Sequence, residues 1–235
     1  MRGYRFVTKD LKSRHGNVQW KIGEWQKLDN DKPLNLCENG FHASKKPLDS
    51  LDYIFGTRWF QCEAKGTILH DDSKFCASEM RLTKEIPIIV IKKFAVECAK
   101  HVLPIYEKKY PKDMRPREAI EMAAKYLLEP TEVNLKILKS KKTAARDAAR
   151  AAVEAARTAA WVAVEAAGTA AWVAVEAAGT AAWVTEAAWI AIEVTRTATR
   201  TAACGATRDT EATWNAERQW QNRTLKKLIK EEVSE

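Results

Sequence analysis

The sequence predicts an α+β chain: a small mixed domain followed by an all-α, alanine-rich helical-repeat domain. Three observations carry this prediction. Over residues 1–85, short apolar runs alternate with turn residues. From Pro87 onward, prolines punctuate long apolar-basic segments at positions where helices start and stop. Between Thr143 and Thr213, 28 of 71 residues are alanine, and the pattern repeats every eleven residues.

The elements follow in order. Tyr4–Val7 reads as a strand, and Gln19-Trp20-Lys21-Ile22-Gly23 alternates like a second. Leu34–Cys37 is short and apolar, and Glu38-Asn39-Gly40 makes a turn after it. Pro47–Ile54 reads as a short helix stopping near Gly56. Arg58–Ala64 is aromatic and alternating, the strongest strand signal, punctuated by Gly66; Glu79–Ile86 alternates again. Asp71-Asp72 reads as a solvated turn. Pro87 suits a helix first turn, with helix expected from Ile88 to about Tyr110 and a kink at Pro104. The β-branched run Ile88–Ile91 also fits a last strand. Pro116 opens a helix over Arg117–Leu128 with Asp113 near its cap, Pro130 ends it, and Thr131 caps the next. The expected organisation is a domain over 1–86, connecting helices over 87–142, and a repeat domain over 143–235.

In the tract, Trp161, Trp172 and Trp183 recur every eleven residues, as do Glu154, Glu165 and Glu176. Two structures fit. One is a continuous helix, because eleven residues make three turns at 3.67 residues per turn and each Trp returns to one face; such a coil oligomerises and winds right-handed. The other is a stack of short helices, with Gly168 and Gly179 closing them and Asp147, Thr158, Thr169 and Thr180 at the N-caps. In both, alanine lets backbones approach closely and the indoles supply the buried area. The tail from Trp214 is an amphipathic helix, apolar through Trp220, Leu225, Leu228 and Ile229, and wet through Lys226, Lys227 and Lys230.

Composition narrows the function. The net charge is +8, with the basic excess in the first 142 residues, which favours an anionic partner: a nucleotide, nucleic acid or an acidic protein face. No nucleic-acid-binding motif of known spacing accompanies it. Five scattered cysteines, with no CxxC pair, read as free thiols rather than a disulfide framework or zinc site. No run of 18 apolar residues and no apolar signal core after Met1 lead to the expectation of a cytoplasmic protein that does not span a membrane. Phosphate-loop, zincin and nucleophile-elbow motifs are missing.

Two stretches resemble known families. Arg2-Gly3-Tyr4-Arg5-Phe6, Asp10-Leu11, Ile22-Gly23, Leu36–Ala43 with its Cys-x-x-Gly-Phe-His-Ala element, Pro47-Leu48-Asp49, Glu63–Gly66 and Asp72-Ser73-Lys74 together resemble a small uncharacterised domain of phage and prophage proteins. Val102–Glu107, Tyr110-Pro111, Asp113–Arg117 and Ala119-Ile120-Glu121 resemble the all-helical immunity-protein group of bacterial toxin systems. The Ala-Trp repeats and the Trp220–Leu225 ending recur beside such elements. The resemblance implies a setting of conflict between bacteria and phages or toxins, and no particular chemistry.

Two constellations stand out. Arg5 on a first strand, His42 and Ser44 after Gly40, and Glu63 on a later strand follow an order similar to ADP-ribosyltransferase folds, although the Ser-Thr-Ser run and the Glu-x-Glu motif are absent. His42 equally fits a structural residue bonding a turn. Arg115 and Arg117, at a helix start, are placed to converge on an anion, while Asp113 and Glu118 offer internal ion pairs instead. Arg5, His42, Ser44, Glu63, Arg115 and Arg117 are therefore the expected ligand-binding residues, with no catalytic residue, metal or cofactor expected. The function expected first is non-catalytic binding: a phage anti-defence inhibitor sequestering a nucleotide-like immune signal. The alternatives are an immunity or anti-defence protein binding a host or toxin protein, an ADP-ribosyltransferase-like enzyme, and an oligomeric coiled-coil scaffold. A homo-oligomer is expected.

Overall fold

The computed structural model describes residues 1–13, 18–29, 32–36, 38–54, 56–155 and 210–233. It divides into two compact units, Met1–Val90 with Leu225–Glu235, and Ile91–Thr224. The C-terminal residues thus group with the N-terminal unit rather than with the stretch that precedes them.

The first unit holds five antiparallel strands: β1 (Arg2–Val7), β2 (Gln26–Lys27), β3 (Phe41–Ser44), β4 (Arg58–His70) and β5 (Lys74–Ile86). A short helix α1 (Pro47–Ser50) runs into a tight turn at Leu51–Tyr53. The sheet order is β2-β5-β3-β1-β4, and β4 also pairs with β5. Strands β1, β4, β5 and β3 therefore close on themselves, which removes most free edges. Arg5 stands opposite Phe60 and Tyr4 opposite Gln61, so successive residues face alternately into and out of this ring. The interior is Val7, Trp20, Phe41, Ala43, Phe60, Cys62, Ala64, Phe75, Ala77, Met80 and Leu82. Trp20 meets Phe41 edge-on at 5.2 Å and donates its indole N–H to Ser13 Oγ at 2.8 Å, so its one polar atom is satisfied in the core.

Turn chemistry explains the long β4–β5 hairpin. Asp71 Oδ1 accepts the backbone N–H groups of Ser73 (2.9 Å) and Lys74 (2.8 Å), an Asx turn that closes the loop. Those two N–H groups hold the Asp71 carboxyl below its usual range. Gly66 does not end β4; with φ +75° it sits in the irregularity between Lys65 and Ile68, and the strand continues to His70. The alternating run at Gln19–Gly23 is not a strand either. Gln19 makes one isolated bridge to Lys12, Gly23 turns at φ +83°, and the pairing strand is Gln26–Lys27. Phe41–Ser44 is a strand where the sequence shows only a turn exit. At Gly56 an added Cβ would run into the Val7 carbonyl. Gly56→Ala is expected to cost about 2 kcal/mol, read as a lower urea midpoint for the sheet unit.

The second unit is helical. α2 (Ile89–Lys109) passes through Pro104 and buries Ile91, Phe94, Ala95, Cys98, Val102 and Tyr106, a stripe at i, i+3/i+4 spacing. The strand alternative for Ile88–Ile91 is thereby corrected. α3 (Arg115–Leu128) buries Ala119, Ile120, Ala123 and Tyr126, and it packs on α4 (Glu132–Ala155). Between them, Thr131 Oγ1 accepts the Asn134 N–H at 3.1 Å, and buried Asn134 donates to Glu129 O at 2.8 Å. α4 continues past Asp147, which is therefore a mid-helix residue and not an N-cap.

α5 (Thr210–Val233) buries Leu225, Leu228, Ile229 and Val233 and exposes Lys226, Lys227 and Lys230, as the amphipathic pattern requires. Cys62, Cys76 and Cys98 are buried, and burial pushes the Cys62 thiol up to about 12. Cys37, Cys204, Trp161, Trp172, Trp183, Gly168 and Gly179 lie outside the described residues, and the choice between coil and stacked helices lies there with them. Among the described residues, no helix is long and apolar enough to cross a membrane.

Candidate functional site

The geometry separates the first constellation. Arg5 points into the strand ring: Nη1 donates to His42 O at 2.6 Å, Nη2 donates to Ser13 Oγ at 2.8 Å, and the guanidinium lies 4.8 Å over Trp20. Burial lowers its pKa to about 10. His42, opposite Cys76, and Ser44, opposite Tyr4, stand on β3 with side chains on the other face. Burial and the nearby Arg5 charge lower the His42 pKa, against the opposing pull of hydrogen bonds with the Gly40 and Asn35 backbone, so the imidazole is neutral at pH 7. Glu63, on β4, is held by Arg81, whose Nε and Nη2 reach Oε2 at 3.0 and 2.6 Å, with Arg2 at 3.5 Å. That grip keeps the carboxyl ionised, with its pKa lowered. Arg5 and Glu63 thus sit on opposite faces of the ring and do not converge. The His42 backbone carbonyl accepts from Arg5.

The second constellation is a corner between α2 and α3. Arg115 grips Asp113 with Nε on Oδ1 (2.8 Å) and Nη2 on Oδ2 (2.7 Å), and its backbone N–H also donates to Oδ1 (3.1 Å). The buried Tyr106 hydroxyl donates to Asp113 Oδ2 at 2.7 Å. Arg115 foremost, then the Tyr106 hydrogen bond, lowers the Asp113 pKa to about 2, against burial. Burial and the same hydrogen bond push the Tyr106 phenol upward. Arg117 forms a second fork on Glu107, both bonds at 2.7 Å, with Glu121 at 3.8 Å. Lys141 on α4 donates to Glu118 on α3 at 2.6 Å. Each guanidinium is thus matched bidentately to a carboxylate of the chain. Beside this network lies an open depression of about 590 Å³, lined by Tyr110, Pro111, Lys112, Asp113, Met114, Arg115 and Glu118.

A third feature went unread in the sequence. Leu128 (75% exposed), Val133 (66%) and Ile137 (40%) present bare aliphatic side chains around the α3–α4 turn. The signal was available: after Thr131, apolar residues occupy two sides of α4, Leu138 on a buried one and Val133 with Ile137, four apart, on another. Lys125, Lys136 and Lys139, all exposed, flank these aliphatics. Elsewhere in this unit, His101 stacks on Trp220 at 3.7 Å and its Nε2 lies 3.0 Å from the buried Glu217, which also accepts from Gln221 at 2.9 Å. That cluster ties α5 to α2.

Comparison with known families places both halves. Residues 1–93 match a domain of unknown function, DUF7666. Residues 81–228 match the family described as Imm-5 like putative immunity protein. Nothing among curated proteins or solved structures matches the chain. The second match takes in the Asp113–Arg115 corner, the bare α3–α4 surface and more than half of the residues, and so the chain belongs to the Imm-5 like immunity protein family.

Proposed function

We propose that this protein is a non-catalytic, immunity-type binding protein whose helical unit captures a toxin protein on the α3–α4 surface. The observation that carries the reading is the exposed set Leu128, Val133 and Ile137 inside the family-matched region. A monomeric helical hairpin gains nothing from leaving those side chains in water, whereas a protein partner would bury them. The Asp113–Arg115 and Glu107–Arg117 forks fix the α2–α3 corner and so hold α3 in place. Protein capture is favoured over sequestration of a nucleotide-like signal because both arginines already hold carboxylates, which a phosphate would have to displace.

The test is co-expression with the reading frames adjacent to this gene, each first assayed alone for toxicity. Wild type is expected to restore growth and to form a stoichiometric complex on size exclusion. Val133→Glu with Ile137→Glu is expected to weaken that complex at least 100-fold (about 2.7 kcal/mol or more), with unchanged helicity by circular dichroism. Absence of rescue, together with heat on titration of a cyclic or ADP-ribose-derived nucleotide into the pure protein, would instead establish the anti-defence reading.

A further inference from the structure

The outer face of the strand ring carries an arrangement that the toxin-binding reading does not use. Register places Arg2 opposite Glu63, and Glu63 opposite Arg81. Two residues further along, Lys65 stands opposite Glu79, and Glu79 opposite Lys27. Each rung therefore runs cation, carboxylate, cation across three neighbouring strands. Glu63 lies 3.5 Å from Arg2 and 2.6 Å from Arg81, and Glu79 lies 3.3 Å from Lys65. In the first rung one carboxylate lies between two cations, and in the second Glu79 pairs with Lys65 and stands opposite Lys27 by register, so the two rungs together carry four positive and two negative charges. Trp25, just before β2 and exposed, joins the rungs: Lys65 Nζ is 4.3 Å and the Arg81 guanidinium 4.9 Å from its ring. The cations within a rung are two strands apart, about 10 Å, and the rungs are about 7 Å apart.

We infer that this face docks single-stranded nucleic acid, with Arg2, Lys27, Lys65 and Arg81 tracking phosphates and Trp25 offering its indole to a base. Under-neutralised cations at regular spacing suit a repeating anion. An exposed indole among them suits a polymer whose every unit has a π-face, which a polycarboxylate lacks.

The experiment uses the full chain and a fluorescein-labelled oligothymidylate of about 12 nucleotides, read by anisotropy across a salt series, with polyglutamate of matched charge as competitor. Binding is expected with a log–log salt slope of about −2 to −3, from three or four phosphates at −0.7 each. Trp25→Ala is expected to weaken binding at least about fivefold. Arg2→Gln, at a side chain 90% exposed, removes one cation without setting a second carboxylate opposite Glu63, and is expected to weaken binding and flatten the slope. Displacement by polyglutamate as readily as by unlabelled oligonucleotide would overturn the proposal in favour of an acidic protein partner. Absence of any anisotropy change at low salt would overturn it outright. Neither result bears on the α3–α4 surface, whose Val133 and Ile137 variants are expected to bind the oligonucleotide as wild type does.

Discussion

Trp20→Ala is expected to destabilise the sheet unit by about 3–5 kcal/mol. The indole is 1% exposed and fills one end of the ring interior against Phe41. Its loss leaves a cavity and removes the ring over which the Arg5 guanidinium rests. Ser13 Oγ loses one donor but keeps Arg5 Nη2, so the penalty is dominated by packing. For a unit of roughly 100 residues, such a change lowers Tm by more than about 12 °C. Thermal unfolding followed by far-ultraviolet circular dichroism reads it directly. A drop under about 4 °C would mean that the interior closes without the indole. Trp20→Phe, which keeps much of the volume but not the N–H, is expected to fall between.

Asp113→Ala carries the second large effect, about 2 kcal/mol on the helical unit. Four donors converge on this carboxylate, and the mutation leaves the hydroxyl of Tyr106, a residue 1% exposed, without its acceptor. The same group sets an acid limit. Its folded pKa of about 2 lies below its ordinary 3.8, so ionised Asp113 stabilises the fold above pH 4. That contribution fades as pH falls through about 2. Arg115 is partly open to solvent, which screens the pair and reduces this contribution to about 1 kcal/mol. Urea midpoints at pH 7 and pH 2.5 should therefore differ less in Asp113→Asn than in wild type. An identical difference in both would remove Asp113 from the acid transition.

The legible parts of the fold were those with local causes. Pro87, Pro116 and Pro130 mark helix limits because the ring has no N–H and a fixed φ, and Thr131 caps because its hydroxyl reaches Asn134. Arg58–Ala64 alternates because one side faces the interior. The missed parts have non-local causes. Phe41–Ser44 is four residues long, and pairing with Lys74–Ala77 makes it a strand. Gly66 looks like a terminator from its neighbours alone, yet the opposite strand carries β4 past it. The Gln19–Gly23 run alternates because Trp20 enters the core while its flanks stay wet, without any partner strand. The site followed the same division. Arg115 and Arg117 stand out as a basic pair at a helix start that fits an anion or internal ion pairs, and of the two nearby carboxylates Asp113 does take Arg115 while Glu118 takes Lys141. Glu107, the carboxylate Arg117 takes, is ten residues back on another helix. Leu128, Val133 and Ile137 were legible only by asking which apolar side of α4 had nothing to cover it.

The ring closure sets the order in which the first unit can assemble. β1 leaves the ribosome before the other strands, but its long partner β4 begins at Arg58, and the other side of that partner is completed only by β5. The β4–β5 hairpin, joined by the Asp71 turn, has the shortest loop to close. It is the natural seed, onto which β3 and then the waiting N-terminal segment are recruited. During synthesis, Tyr4, Phe6 and Val7 therefore spend the translation time of some eighty residues, several seconds at 5–20 residues per second, as an unclaimed sticky end. Arg2 and Arg5, charged residues interleaved with them in the nascent chain, then act as gatekeepers against premature association.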